Sequence, residues 1–176
     1  MKKDDATHLS VSQRHKVRWP TLSELVRDPA AFVAFGFGIG LVRPGSGTWG
    51  TLLAALIWWA VQPEPTVWLG IALAVAFVFG CWICERTGSR LGTADHVGMV
   101  WDEMVALWLL LWILPQTCLA FILAIVFFRV FDVAKPYPIH QLEAMMPGGV
   151  GVMVDDVVAA IYAWVVIAII LAFVPV

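Results

Sequence analysis

The stretch that decides how this chain is read is FFRVFDVAKPYPI (127–139), joined by a polar connector to PGGVGVMVDDVVAA (147–160). Apolar segments flank it on both sides. In or beside them stand Arg129, Asp132, Lys135, Asp155 and Asp156. Ionisable groups next to hydrocarbon are costly and mark functional sites when they persist there. The rest of the chain says how deep these charges lie and what joins them.

Of the 176 residues, 61% are hydrophobic and 14% are charged. A soluble domain averages about 45–50% apolar and about 25% charged residues, so the composition is that of an integral membrane protein. Ten tryptophans fit the same class, because indole rings favour the bilayer interface. A net charge of −2 leaves no electrostatic basis for a nucleic-acid partner. Cys81 and Cys84 form a C-W-I-C string, but it lies in an apolar run without a βαβ setting. They read as small residues one helical turn apart, not as a redox or zinc pair.

Residues 1–29 carry Lys2, Lys3, Arg14, Lys16, Arg18 and Arg27. They form a basic cytoplasmic tail, either drawn to anionic lipid or simply topogenic. Residues 30–176 form a single membrane-embedded domain. Its first part, AAFVAFGFGIGLV (30–42), is shorter than the roughly 20 residues a spanning helix needs. With Gly36, Gly38 and Gly40 weakening any helix, a re-entrant or interfacial segment is expected. After the turn-rich RPGSGTWGT (43–51), Thr48 is expected to cap a helix beginning near Trp49. The expected fold is all-α: a compact bundle of about five transmembrane helices at 49–62, 66–84, 97–114, 117–131 and 155–174. The first and fourth, near 21–23 Å by the helical rise of about 1.5 Å per residue, must borrow flanking residues.

The connectors differ in charge. QPEP (62–65) and PQ (115–116) lack Lys and Arg, whereas 85–96 and 132–154 contain Arg86, Arg90 and Lys135. The positive-inside rule then places the tail and the 30–48 segment in the cytoplasm, with all eleven Lys and Arg residues on or near that side. Under this topology Thr48, Asp102, Glu103, Arg129, Asp132, Lys135, Asp155 and Asp156 converge at one depth by the cytoplasmic leaflet. Neighbouring helical positions point about 100° apart, so in each acidic pair one carboxylate should face the bundle and the other sideways.

An oxygen-rich set without a Cys/His cluster favours Mg²⁺ or Mn²⁺ over zinc or copper. A divalent cation also relieves repulsion between close carboxylates. Arg129 and Lys135, with Thr48, supply donors for an anion such as phosphate. Five carboxylates exceed what two cations need for structural ion pairs alone. Asp95 reads as a helix N-cap, and His96 as a candidate general acid or base near neutral pH. GGVG (148–151) reads as an anion-binding helix start or as a hinge. RPGSGT lacks the Gly-Lys-Ser/Thr of a Walker loop. The rival reading of the buried acids is a small cation- or proton-coupled transporter, although no inverted repeat is visible.

Five strings in order, GFGIGL (36–41), SGTWGTL (46–52), DHVGMVWDE (95–103), FRVFDVAKPYPI (128–139) and GGVGVMVDD (148–156), resemble the phosphatidylglycerophosphatase A family over about residues 32–165. That family carries Pro-Gly-Thr where this chain has Ser46-Gly47-Thr48, and often glycine at Ala160. The resemblance implies a Mg²⁺-dependent enzyme of the bacterial cytoplasmic membrane whose site faces the cytoplasm. It would dephosphorylate phosphatidylglycerophosphate to phosphatidylglycerol in phospholipid synthesis. Carried over, Asp102, Glu103, Asp132, Asp155 and Asp156 would be the metal or catalytic carboxylates, and Arg129 and Lys135 would hold the phosphate. Attack would come from a metal-activated water or from a carboxylate such as Asp132. Sequence leaves both routes open, along with oligomeric state.

Overall fold

In a computed structural model, residues 18–137, 139, 141, 145–146 and 148–174 are described. Most of the basic tail, including Lys2, Lys3, Arg14 and Lys16, lies outside the described residues, as does His140. Among the described residues every regular element is helical. Two short helices, α1 (Leu22–Val26) and α2 (Pro29–Ala34), lead into a 3-10 segment at Gly36–Leu41. Five longer helices follow: α3 (Ser46–Val61), α4 (Val67–Leu91), α5 (Trp101–Ile113), α6 (Cys118–Ala134) and α7 (Gly149–Phe173).

Their ends are chemically marked. Thr21 and Glu24 form a reciprocal capping box on α1. Thr66 and Thr117 accept the backbone N–H groups of Leu69 and Ala120 at 3.2 Å, starting α4 and α6. α3 stops at Gln62 in the left-handed region, and Pro63 and Pro65 keep it from resuming. α4 stops at Gly92, also left-handed.

α4 and α7 are long and apolar enough to cross a membrane; only 22% and 28% of their apolar windows are buried inside the protein. That outward apolar surface, with Trp68, Val75 and Trp82 on α4 and Ile161 and Ile169 on α7 exposed, suits lipid contact. α3, α5 and α6 are shorter, at about 24, 20 and 26 Å from their lengths. α5 is the innermost: Val105, Ala106, Leu107 and Leu110 are essentially inaccessible. α7 packs against α4, α5 and α6, and α3 against α5.

Helix bounds differ from the sequence reading where charge or glycine was taken as a stop. α4 continues past Cys84 through a polar turn to Leu91, because Arg86 and Arg90 both reach the buried carboxylate of Asp28. Burial alone would raise that carboxyl, but the two guanidiniums hold it below the usual carboxylate range. α7 begins at Gly149, not near Asp155. Gly149 sits where a Cβ would strike the α4 backbone at Cys81 O and Glu85 N. The Gly149 N–H donates to Glu85 Oε2 at 2.8 Å, so the anion at this helix start is the chain's own carboxylate. α5 begins at Trp101 with Val100 before it, and Asp95 is therefore not its N-cap. α3 starts at Ser46 after a left-handed Gly45, placing Thr48 inside the first turn and not at the cap. The 30–42 stretch is broken as expected, with Phe37 and Gly38 outside helical geometry.

Candidate active site

The GFGIGL string acts as a scaffold for the polar end of α5. A Cβ at Gly40 would overlap the carbonyl of Gly98, and one at Gly36 would press on Val100 at 2.6 Å. The Val100 N–H donates to Ala34 O at 2.9 Å. This close approach fixes where Asp102 and Glu103 emerge. In SGTWGT the spacing works similarly. Gly47 faces Glu103 so closely that a Cβ would overlap its carboxylate, and a Cβ at Gly50 would lie 3.2 Å from Glu103 Oε2.

A cavity of about 420 Å³ opens among the starts of α3, α5 and α7 and the end of α6. Asp102, Glu103, Asp132, Asp155 and Asp156 all line it with Arg129 and Lys135, and Asp95 adds a sixth carboxylate. Both members of each adjacent pair reach the cavity, contrary to the expectation that one would turn aside. The space is bordered by several helices, so directions 100° apart still meet it. Glu103 turns toward α3 and Arg129. Asp155 turns toward Lys135.

Arg129 Nη1 donates to Glu103 Oε1 at 2.8 Å and also to Asp132 Oδ2, and Nη2 reaches Thr48 Oγ1 at 3.4 Å. Lys135 does not continue α6 to join Asp132. It adopts a left-handed conformation with φ of 39°, and the αR region is disfavoured ahead of Pro136. That turn sends its Nζ to Asp155 Oδ2. Asp102 Oδ1 and Asp155 Oδ1 accept the next residue's backbone N–H, each at 3.0 Å.

His96 is not brought to the cavity. Its Nδ1 accepts the Gly98 N–H at 3.0 Å, which leaves Nε2 as the N–H that faces Arg18 O at 3.2 Å. Trp19 and Phe35 cover the ring. Burial pushes its pKa below the ordinary histidine value, although the Arg18 carbonyl and Asp95 oppose that shift. A neutral imidazole with both nitrogens engaged ties the segment before α1 to the 96–98 loop.

Sequence reasoning missed Ser46, whose hydroxyl donates to Val97 O, and the cavity position of Asp95, which DHVGMVWDE contains. It also missed Asp28 and Glu85, which lie in no acidic cluster along the chain and gain meaning only from α4.

Residues 32–171 match the family model described as phosphatidylglycerophosphatase A. The chain belongs to the phosphatidylglycerophosphatase A family. It is 37% identical over 142 residues to the phosphatidylglycerophosphatase A of Haemophilus influenzae, covering 80% of this chain and 87% of that relative. The phosphatidylglycerophosphatase A of Escherichia coli is 34% identical over 135 residues, or 76% and 78% of the two chains. A Bacteroides thetaiotaomicron protein named putative phosphatidylinositol-3-phosphatase is 38% identical over 145 residues, covering 78% and 90%. No solved structure matches the chain. Membership in a phosphatase family leaves the transporter reading without support.

Whether a cavity of this composition suits a divalent cation can be judged from its donors. Among the described residues no three acidic, histidine or cysteine side chains form a ready-made metal cage. The donor set still fits a hard cation, because it is all oxygen and six carboxylates face two cations. Two buried oxygens, Glu103 Oε2 and Asp156 Oδ2, have no hydrogen-bond partner. Unpaired buried oxygens of this kind call for a ligand.

Proposed function

We propose that the chain hydrolyses the phosphomonoester of phosphatidylglycerophosphate to phosphatidylglycerol and phosphate, with Mg²⁺, at the cytoplasmic leaflet of a bacterial membrane. The observation that carries this reading is the gathering of Arg129, Lys135 and the family-string carboxylates around one cavity at the end of the bundle. Two relatives bear the name of this activity. The fold proposed with it is a five-span bundle in which α3, α5 and α6 join α4 and α7 in the membrane. Their cavity-side ends alternate as that topology requires.

Arg129 and Lys135 hold the substrate phosphoryl oxygens. Each is neutralised in the free protein by a carboxylate. An incoming phosphate replaces Asp155 as the acceptor of Lys135, trading one charge-assisted bond for another, and takes the unpartnered Nε–H of Arg129. Thr48 stands at the rim beside Arg129. Asp102, Glu103, Asp132, Asp155 and Asp156 would hold Mg²⁺, which when bound offsets the carboxylate excess and polarises the phosphoryl group. Asp156, with Oδ2 unpartnered, accepts the proton of an attacking water. Asp132 is less suited to attack because Arg129 occupies its Oδ2. That occupancy supports the water route, and a phosphoenzyme trapped by acid quench would rule it out. His96 has no part in this chemistry.

The test is phosphate release from phosphatidylglycerophosphate in mixed micelles by the purified chain. Turnover with Mg²⁺ and none after EDTA is expected. Equal release under both conditions, or preference for a phosphoinositide monoester, contradicts the reading.

A further inference from the structure

α3 and α6 pack sparsely on each other, whereas α3 packs closely on α5 and α6 on α7. Across this seam Thr48 and Arg129 meet at 3.4 Å. Helical periodicity places Leu52 and Trp59 on the face of Thr48, and Ile122 and Val126 on the face of Arg129. All four are apolar and exposed, at 45%, 63%, 52% and 50%. The seam ends at the carboxylate cavity on one side. At the other end, Trp59 and Ile122 line a second cavity of about 610 Å³ whose one charged lining residue is Glu64. From Thr48 to Trp59 the helical rise makes the seam about 16 Å long. The outer faces of α4 and α7 are equally apolar, but no residue of α4 borders the carboxylate cavity, and the α6–α7 seam is tightly packed.

We propose that the α3–α6 seam is the acyl-chain subsite. The lipid enters sideways from the bilayer between these helices. One fatty acyl chain then lies along Leu52, Trp59, Ile122 and Val126 while its phosphate reaches Arg129 and Lys135. This rests on the phosphatase reading of the cavity and adds where the rest of the substrate goes. A lipid chain is already in hydrocarbon before it binds, so the seam supplies little hydrophobic driving force. It orients the headgroup instead, a gain in positioning at the reacting phosphorus.

Two measurements test it on the intact chain in vesicles. A phosphatidylglycerophosphate analogue with a diazirine in mid-chain should crosslink to peptides containing Leu52–Trp59 and Ile122–Val126. Crosslinks confined to the outer faces of α4 and α7 overturn the proposal. For Leu52→Trp and Val126→Trp, the ratio of long-chain to dihexanoyl substrate turnover should fall at least ten-fold. Val75→Trp, on the lipid face of α4, should leave that ratio as in the parent chain. Equal loss on both substrates also overturns the proposal. If the parent chain hydrolyses neither lipid yet crosslinks map to the seam, the phosphatase reading fails while the acyl subsite stands.

Discussion

Gly47→Ala probes the fit between α3 and the cavity. An added Cβ would sit 2.6 Å from Glu103 Cδ and 2.7 Å from Oε2, and closer still to Oε1. Relief comes from rotating the Glu103 carboxylate away, and that breaks its 2.8 Å bond from Arg129. Hydrogen bonds to charged groups contribute about 1.5–3 kcal/mol. Against this, alanine is favoured over glycine by at most about 1 kcal/mol, and by less in the first turn where Gly47 lies. Folding stability should therefore fall by no more than about 3 kcal/mol. If the misplaced Glu103 and Arg129 cost the transition state the same 1.5–3 kcal/mol, turnover falls roughly 10- to 150-fold. Initial rates of phosphate release, with thermal unfolding in detergent run alongside, separate the two effects. Turnover within two-fold of the parent, in a normally stable protein, refutes the claim that Gly47 exists to admit Glu103.

His96 has a folded pKa depressed by burial, so its contribution to stability is full above about pH 6.5 and is lost as pH falls through the lower folded value. The slope cannot exceed about 1.4 kcal/mol per pH unit. Thermal midpoints should drop between pH 7 and pH 5 more steeply for the parent than for His96→Gln, and parallel slopes contradict the assignment. The five-span order makes a labelling prediction. In intact cells an impermeant thiol reagent should label Cys118, which is exposed at the start of α6. It should fail on Ser89→Cys in a chain lacking the native cysteines, and labelling there from outside contradicts the order.

Much of the site was legible because membrane sequences separate charge from hydrocarbon so sharply. Asp102, Glu103, Arg129, Asp132, Lys135, Asp155 and Asp156 stand out against apolar neighbours, and the charge of the connectors placed them at one end of the bundle. What escaped was local. A charge or a glycine was read as a helix end, yet α4 runs on through Arg86 and Arg90 because a distant Asp28 receives them. α7 starts at Gly149 because a glycine there lets it press on the α4 backbone. His96 looked catalytic by type, but two backbone partners and two aromatic rings, none visible in spacing, hold it elsewhere. Asp95 looked like a cap because its helix was drawn four residues too early, from 97 and not Trp101.

The account stands most directly on one comparison: Mg²⁺-dependent phosphate release from phosphatidylglycerophosphate by the parent chain, Asp132→Asn and Asp156→Asn, each shown to be folded. The parent should turn over and both variants should be slower by roughly 100-fold or more, Asp156→Asn because its acid–base group is lost and Asp132→Asn because a Mg²⁺ ligand is lost. Variants as fast as the parent would mean that this cavity is not where the phosphate is cleaved.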